Sequence, residues 1–458
     1  MNSNNIYRNK YCGEITAQDE GKTVKVAGWI NSIRNLGSLV FITLRDETGI
    51  VQIISEDTEK FANITRESSA TVTGKVQRRS GNVNPNMKTG EIEIVLENIE
   101  ILGKCVNTLP FEIAHSKEAS EETRLKYRYL DLRNSLVHDK IVFRSKVVDF
   151  IRKTMKEMDF TEITTPIITG SSPEGARDFV IPSRNYHGKF YALPQAPQIY
   201  KQLLMVSGFN RYFQIAPCFR DEDCRADRTL EFYQLDFEMS FATDEDVYEV
   251  GEKVFYNTFK NFTDKYVSPI PFKRIPFKEA MLKYGCDKPD LRNPLIIEDA
   301  SDIFEKSDFA GFKGKIVRCI KCKNVSKSNS WFKHLEEFVK SKGASGLAYL
   351  KKQDGEIKSA ILKFLSSEEI NLLSERFTLE DNDVLFILAG DEHIIKVAGL
   401  LRNYLGEELE LIDHNRYEFC IVNDFPFYEY NEEDKKWDFG HNPFSMPQGG
   451  IDALNNMN

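Results

Sequence analysis

The amino-acid sequence predicts a multidomain α+β chain: a small N-terminal β-barrel, a core built on an antiparallel β-hairpin flanked by helices, and an α/β domain inserted into that core. Three observations predict it. Short segments rich in β-branched and aromatic residues, separated by Gly, Asn and Asp, fill residues 22–102. Two strands with period-2 alternation flank a charged loop between Arg211 and Phe241. A stretch from Gly285 to Arg416 mixes helical and strand patterns and is bounded on both sides by sequence of the core's character.

Composition sets the class. With 458 residues, 41% hydrophobic and 29% charged, the chain can bury several cores. No apolar run approaches the roughly 18 residues of a membrane span, and the start MNSNNIYRNK lacks the apolar region of a signal peptide, so a cytoplasmic protein is expected. Eight scattered cysteines do not form a disulfide framework. Cys319 and Cys322 make one CxxC, but no second pair or suitably spaced histidines accompany it, so packing is expected rather than metal. The net charge of −9 arises downstream, since residues 1–140 carry 19 Lys/Arg and 19 Asp/Glu.

In chain order, VKVAGWINSI, SLVFITLRD, GIVQII, SATVTGKVQRR and GEIEIVLENIEIL read as five strands, with the polar SEDTEKFANITRE as a helix between the third and fourth. That order suggests an OB-fold β-barrel, a common nucleic-acid platform. NTLPFEIAHSKEASEETRLKYRYLDLRN has little periodicity and reads as a linker or hinge. In IVFRSKVVDFIRKTMKEM, Val147, Phe150, Ile151 and Met155 share one helical face, and FTEITTPIIT follows as an extended segment ending near Pro166. PQAPQIYKQLLMVSG begins a helix with Pro197 at its first turn, putting Gln198 and Lys201 on one face. The expected domains are 1–107 (barrel), 108–140 (linker), 141–284 (core, first part), 285–416 (insertion) and 417–458 (core, second part).

The hairpin carries the chemistry. In YFQIAPCFR, Gln214, Ala216, Cys218 and Arg220 alternate with Phe213, Ile215, Pro217 and Phe219. In FYQLDFEMSF, Phe232, Gln234, Asp236, Glu238 and Ser240 alternate with Tyr233, Leu235, Phe237, Met239 and Phe241. One face therefore belongs to a core and the other presents a guanidinium, a ring, an amide and carboxylates. Such a face suits a flat ring, an ammonium and a phosphate, the last held by Arg through charge-assisted bonds.

These residues bring a family into view. FRDEDCRADRTLEFYQLDFEMSF resembles motif 2 of class II aminoacyl-tRNA synthetases, and FTEITTPIIT resembles motif 1, with Pro166 as its proline. SPEGARDF, LPQAPQIYKQLL and YGCDKPDLR together resemble bacterial-type aspartyl-tRNA synthetase, and GWINSIRNLGSLVFITLRDETGIVQ resembles that family's anticodon-binding OB domain. The resemblance implies a class II synthetase antiparallel β-sheet core flanked by helices. It implies an aspartate–tRNA ligase that couples L-aspartate to ATP and passes the aspartyl group to tRNA-Asp, as a homodimer without a membrane.

By motif position, the resemblance implies that Arg220 holds the α-phosphate and the aspartate carboxylate. Glu222, with Asp221 and Thr229, lies at ATP, and Phe232 stacks on adenine. Gln198, Lys201, Gln234, Asp236, Glu174 and His441 form the aspartate pocket, Lys201 neutralising the substrate side chain and Glu174 riding on a loop that closes over it. Arg34, Phe41, Gln52, Asn82 and Glu93 fall where the family meets the anticodon. Leu36 and Asn82 weigh toward a strict enzyme, with charging of tRNA-Asn left open.

Departures from the pattern are Ala196, Thr229 and Asn442, where relatives often carry Ser, Gln and a second His. The sequence stops at IDALNNMN, before the family's acidic Mg2+ positions and its third motif. The resemblance therefore implies a core incomplete at the C-terminus, no metal ligands among these residues, and a fragment that activates aspartate poorly. A non-catalytic tRNA-binding paralogue and an asparaginyl- or lysyl-type synthetase are the competing readings.

Overall fold

Alternation closes the N-terminal strands on themselves. In this computed structural model, which describes residues 4–61, 64–106, 108–172, 174–225, 228–431, 435–440 and 445–455, β1 (Thr23–Asn35), β2 (Val40–Arg45), β3 (Ile50–Ser55), β4 (Ser69–Arg78) and β5 (Ile92–Gly103) form a closed barrel in the order β1-β2-β3-β5-β4. Every pairing is antiparallel except β3 with β5. Val26, Ile42, Leu44, Ile53, Val72 and Ile94 point inward and are buried. Their neighbours point out, so closure leaves an outer surface of polar and aromatic groups. Gly74 sits where β4 crosses β5, and a Cβ there would lie 2.2 Å from the Val95 carbonyl oxygen.

The helix expected between β3 and β4 is only a 3-10 turn, Glu59–Phe61, among the described residues. Phe61 is its buried anchor, and a single apolar anchor needs a single turn.

The segment with weak periodicity is ordered by polar contacts instead. It holds a 3-10 turn (Ile113–Glu118), α1 (Glu121–Lys126) and α2 (Arg128–Asp131). Asp131 is fully buried and accepts from Ser116 Oγ at 2.8 Å, Arg124 Nε at 3.1 Å and the Arg128 guanidinium. Asn134 Nδ2 donates to the Ile113 carbonyl at 2.9 Å. Charged anchors leave no hydrophobic period to read.

Asp19 is similarly buried. Burial raises its carboxyl, but hydrogen bonds from Lys10, the Thr16 amide and Lys22 outweigh this and bring it from 3.8 to about 2. A depressed value stabilises the fold above 3.8, and that contribution fades as pH falls through about 2. Acid titration followed by circular dichroism should therefore show a shallower loss of stability over that interval in Asp19→Asn than in the parent.

Two compact units divide at Asp139 and Lys140. α3 (Ser135–Glu157) contributes its first residues to the first unit and the rest to the second. In the second unit follow β6 (Thr161–Glu162), β7 (Val180–Pro182), β8 (Phe190–Ala192), α4 (Gln198–Val206), β9 (Arg211–Phe219), β10 (Glu231–Met239) and α5 (Asp244–Phe262). β9 and β10 pair antiparallel along their whole length, Phe219 facing Glu231 and Arg211 facing Met239, and β6 joins β9 in parallel. Phe213, Leu235, Phe237 and Met239 pack with Met155, Phe160, Val250 and Val254 of the α3 and α5 region. One face of the hairpin thereby packs on these helices, and the opposite face, buried along much of β9, carries the polar groups. The alternation fails at its end: Phe241, expected in the core, has φ 53° and is fully exposed, because β10 stops at Met239 and the chain turns. Thr243 caps α5, accepting from the Asp246 amide while Asp246 accepts from the Thr243 amide.

The chain then passes through β11 (Tyr266–Val267), β12 (Lys273–Pro276) and α6 (Phe277–Tyr284) into a five-stranded sheet of β13 (Ile297–Asp299), β14 (Ile316–Cys322), β15 (Ala348–Gln353), β16 (Glu356–Lys358) and β17 (Val384–Gly390), ordered β13-β14-β17-β15-β16. Helices α7 (Asn329–Ser341), α8 (Ser367–Phe377) and α9 (His393–Glu408) contribute to the cores on its two faces. β18 (Arg416–Tyr417) and β19 (Cys420–Asn423) return to pair in parallel with β11 and β12. The chain thus enters and leaves the five-stranded sheet beside paired strands. β20 (Tyr428–Asn431), β21 (Lys436–Phe439) and α10 (Gly450–Asn455) follow.

Cys319 and Cys322 stand three apart on β14 and so point to opposite faces, Cys319 into one core and Cys322 into the other. They cannot grip one ion together. Burial pushes both thiols up, Cys322 to about 12. No helix among the described residues is long and apolar enough to cross a membrane.

Candidate functional site

The polar face of the β9–β10 hairpin meets the first turn of α4. Pro197 starts that helix, and its carbonyl accepts from the Lys201 amide at 2.9 Å, aiming the lysine along the face shared with Gln198. Lys201 Nζ lies 2.9 Å from Asp236 Oδ1 and 3.2 Å from Glu238 Oε2. The two carboxylates are two residues apart on β10 and hence on one face. Asp236 is 9% exposed, and its Oδ2 has no hydrogen-bond partner among the described residues.

Arg220, one residue beyond β9, holds its guanidinium carbon 5.1 Å from the centre of the Phe232 ring. Its Nε is buried without a partner among the described residues. Gln234 accepts from the Cys218 thiol at 3.3 Å. Glu174 approaches on the Ser172–Asp178 loop, accepting from Ser172 Oγ at 3.1 Å.

The charges feel one another. Burial works against the Lys201 ammonium, but Asp236 and Glu238 hold it above the ordinary lysine value. Burial raises the Glu174 carboxyl, opposed by Ser172, Arg220 and Lys201 and reinforced by Asp236. Burial pushes the Cys218 thiol up to about 11, so it is a neutral donor at physiological pH. The face thus offers two cations, an unspent carboxylate oxygen and a ring. A small zwitterion with an extra acid group, joined to a flat base through a phosphate, matches that set.

Glu174 lies within electrostatic reach of Arg220, Lys201 and Asp236, Arg220 lies over Phe232, and Gln198 and Gln234 stand on α4 and β10. Three expected nucleotide contacts stay on the exposed loop. Asp221 donates its amide to the Arg177 carbonyl, Glu222 lies 3.9 Å from Arg228, and Thr229 Oγ1 donates to the Glu231 carbonyl. His441 lies outside the described residues.

On the barrel, Arg34 faces Phe41 across β1 and β2, and Gln52 lies opposite Thr43 on β3. Arg34 is exposed and the other two are half-buried. Asn82 is exposed in the loop between β4 and β5. Glu93 differs from the surface contact expected: it is 2% exposed, and its oxygens accept from Gln52 at 2.9 Å and Gln77 at 3.0 Å. Arg79 in turn donates to Gln52 Oε1 at 2.6 Å. Glu93 holds Gln52 from beneath.

Residues 120–457 match the family described as tRNA synthetases class II (D, K and N), and residues 24–102 match the OB-fold nucleic acid binding domain. The chain belongs to the class II tRNA synthetases.

A protein of Rickettsia canadensis named aspartate--tRNA(Asp/Asn) ligase is 50% identical to this synthetase over 465 aligned positions, covering 98% of this chain and 77% of that protein. The asparaginyl-tRNA synthetase from Pyrococcus horikoshii complexed with asparaginyl-adenylate superposes with a TM-score of 0.51 at 21% identity, covering 86% of this chain and 95% of that one. The aspartyl-tRNA synthetase from Entamoeba histolytica gives 0.50 at 19% identity, covering 85% and 89%. At such identities the two structures speak for the fold alone.

Sequence reasoning on this synthetase missed Glu238 as the second partner of Lys201, although its place on the polar face of β10 was legible. It also missed Gln195, three residues before Gln198 in LPQAPQIYK and outside the helix. Alternation and helical spacing do not register a side chain that serves a loop.

Proposed function

We propose that this synthetase is an aspartate–tRNA ligase. L-aspartate and ATP give aspartyl-adenylate and pyrophosphate, and the aspartyl group then passes to the 3′ end of tRNA-Asp. An oxygen of the substrate α-carboxylate attacks the α-phosphorus in line, and pyrophosphate leaves with the electron pair. A ribose hydroxyl of the tRNA then attacks the acyl carbon and releases AMP. The protein's part is orientation and charge.

The observation that carries this reading is the half-buried Lys201 ammonium, held charged by Asp236 and Glu238 at the base of the face. Lys201 receives the side-chain carboxylate, Arg220 the α-carboxylate and α-phosphate, and Phe232 the adenine. Asp236, with Glu174, takes the α-ammonium, and Gln198 and Gln234 complete the pocket. Lysine would bring a second ammonium against Lys201, and asparagine would bring no side-chain carboxylate to it. Asp221, Glu222 and Thr229 are proposed to contact ATP.

Magnesium accompanies ATP in this family, but no group of three or more His, Cys, Asp or Glu side chains among the described residues could hold an ion. The described residues do not fit a resident metal.

Non-hydrolysable analogues of aspartyl-, asparaginyl- and lysyl-adenylate test the reading by calorimetry. The aspartyl analogue should bind tightest, by about 100-fold or more. Equal binding of the asparaginyl analogue would overturn it.

The barrel is proposed to read the anticodon through Arg34, Phe41, Gln52 and Asn82, with Glu93 fixing Gln52. Phe41→Ala should weaken binding of an anticodon stem-loop by about 1–3 kcal/mol, the value of stacking one base on a ring. Filter binding would measure it. A second reading extends the partners to tRNA-Asn, because the similar Rickettsia proteins are named for both tRNAs. Leu36 and Asn82 weigh toward tRNA-Asp alone, and aspartylation of each purified tRNA decides between them.

A cytoplasmic homodimer completes the proposal. Ile167, Ile168, Ile199, Leu203 and Val206 are exposed apolar side chains on the segment after β6 and on α4, a surface that a second copy would cover. Sedimentation should give twice the chain mass.

A further inference from the structure

The loop carrying Glu174 is held by one buried amide. Gln195 is 1% exposed and lies on the segment between β8 and α4. Its Oε1 accepts from the Ala176 amide at 3.0 Å. Its Nε2 donates to the Ala176 carbonyl at 2.9 Å, to the Ser172 carbonyl at 3.3 Å and to the Asp178 carboxylate. The side chain thus pairs with both backbone groups of Ala176, as a neighbouring strand would, and clamps the loop at three of its residues.

The clamp reaches Glu174 directly. The Ser172 carbonyl that accepts from Gln195 also accepts from the Glu174 amide at 2.9 Å, and the Ser172 hydroxyl binds the Glu174 carboxylate. Ties on either side extend the same frame: the Leu193 amide donates to Phe179 O and the Phe219 amide to Pro194 O, each at 2.9 Å. The segment bearing Gln195 is therefore fastened to the loop on one side and to β9 on the other. Among the described residues Gln195 hydrogen-bonds only to Ser172, Ala176 and Asp178 and not to Lys201, Arg220 or Asp236, so any effect it has on the pocket passes through the loop.

We propose that Gln195 is a positioning residue for the amino-acid pocket, a latch that fixes the 172–178 loop so that Glu174 stands over the Lys201–Asp236 pair. The inference rests on the proposed aspartate site, but the latch itself is a property of the loop. An unlatched loop samples positions in which Glu174 no longer meets the α-ammonium, and amino-acid affinity falls while ATP affinity does not.

The test uses the full chain. In Gln195→Met, which conserves volume, hydrogen exchange at the Ala176 amide should accelerate at least about tenfold, since its acceptor is gone. Binding of the aspartyl-adenylate analogue should weaken about tenfold, the effect of losing one buried hydrogen-bond set of modest net strength. ATP affinity should stay within about twofold. The decisive measurement is the double-mutant cycle with Glu174→Ala: a latch acting through Glu174 adds little once Glu174 is gone. Fully additive losses, or unchanged exchange at Ala176, overturn the proposal. Should Gln195→Met not fold, Gln195→Glu keeps the acceptor for Ala176 while removing the donors, and the same cycle is read from it. If the parent chain prefers another aminoacyl-adenylate analogue, the aspartate reading fails, while the exchange result still decides the latch.

Discussion

Lys201→Met should lower the unfolding free energy by about 3 kcal/mol and abolish detectable binding of the aspartyl-adenylate analogue. The two losses have different causes. Without its ammonium, Asp236 is left buried and uncompensated beside Glu238, and breaking such a pair costs far more than the pair itself contributes. Adding Asp236→Asn to the Met variant removes one orphaned charge and should restore part of the stability but none of the binding. Urea unfolding and calorimetry separate the outcomes. A Met variant that binds the aspartyl analogue as the parent does would remove Lys201 from the substrate site. The sign with pH follows from the raised lysine value: the contribution is complete below 10.5 and is lost only as pH climbs through the higher folded value. The parent should therefore lose more stability than the Met variant in strong alkali.

Arg220→Ala is expected to do the reverse, sparing the fold and damaging the site. Among the described residues Arg220 has no ion pair, its Nε is unspent, and its ring contact with Phe232 stands on the functional face. Losing a charge-assisted phosphate contact of about 1.5–3 kcal/mol should weaken ATP and the aspartyl analogue by about 10- to 100-fold. Arg220→Lys should recover little, because a point charge lacks the planar fork and does not lie flat on Phe232. Unfolding midpoints should move by less than in Lys201→Met. Unaltered ATP affinity in Arg220→Ala would dissociate residue 220 from the phosphate.

The barrel was legible because each strand alternates, and alternation is a local property: Ile42 and Leu44 inward, Phe41 and Thr43 outward, can be read from four letters. The hairpin was legible for the same reason, but alternation misled at Tyr233, which is exposed, and at Phe241, where the strand gives way to a turn. What alternation cannot see is which partner a polar side chain finds off its own strand or helix face. Gln195 serves a loop that ends 17 residues before it, Glu93 serves Gln52 on the neighbouring strand, and Asp131 gathers two arginines into a segment that reads as linker.

By itself the sequence determined which side chains share a face, because strand and helix periods are set by neighbours a few residues away. It also determined the family, through motif residues in fixed order. Only the tertiary structure decided which carboxylates close on Lys201, which amide holds the Glu174 loop, and that Glu93 lies beneath the surface. Those choices depend on distances between residues remote in the chain, and on the desolvation that makes an unpaired charge or amide too costly to leave alone.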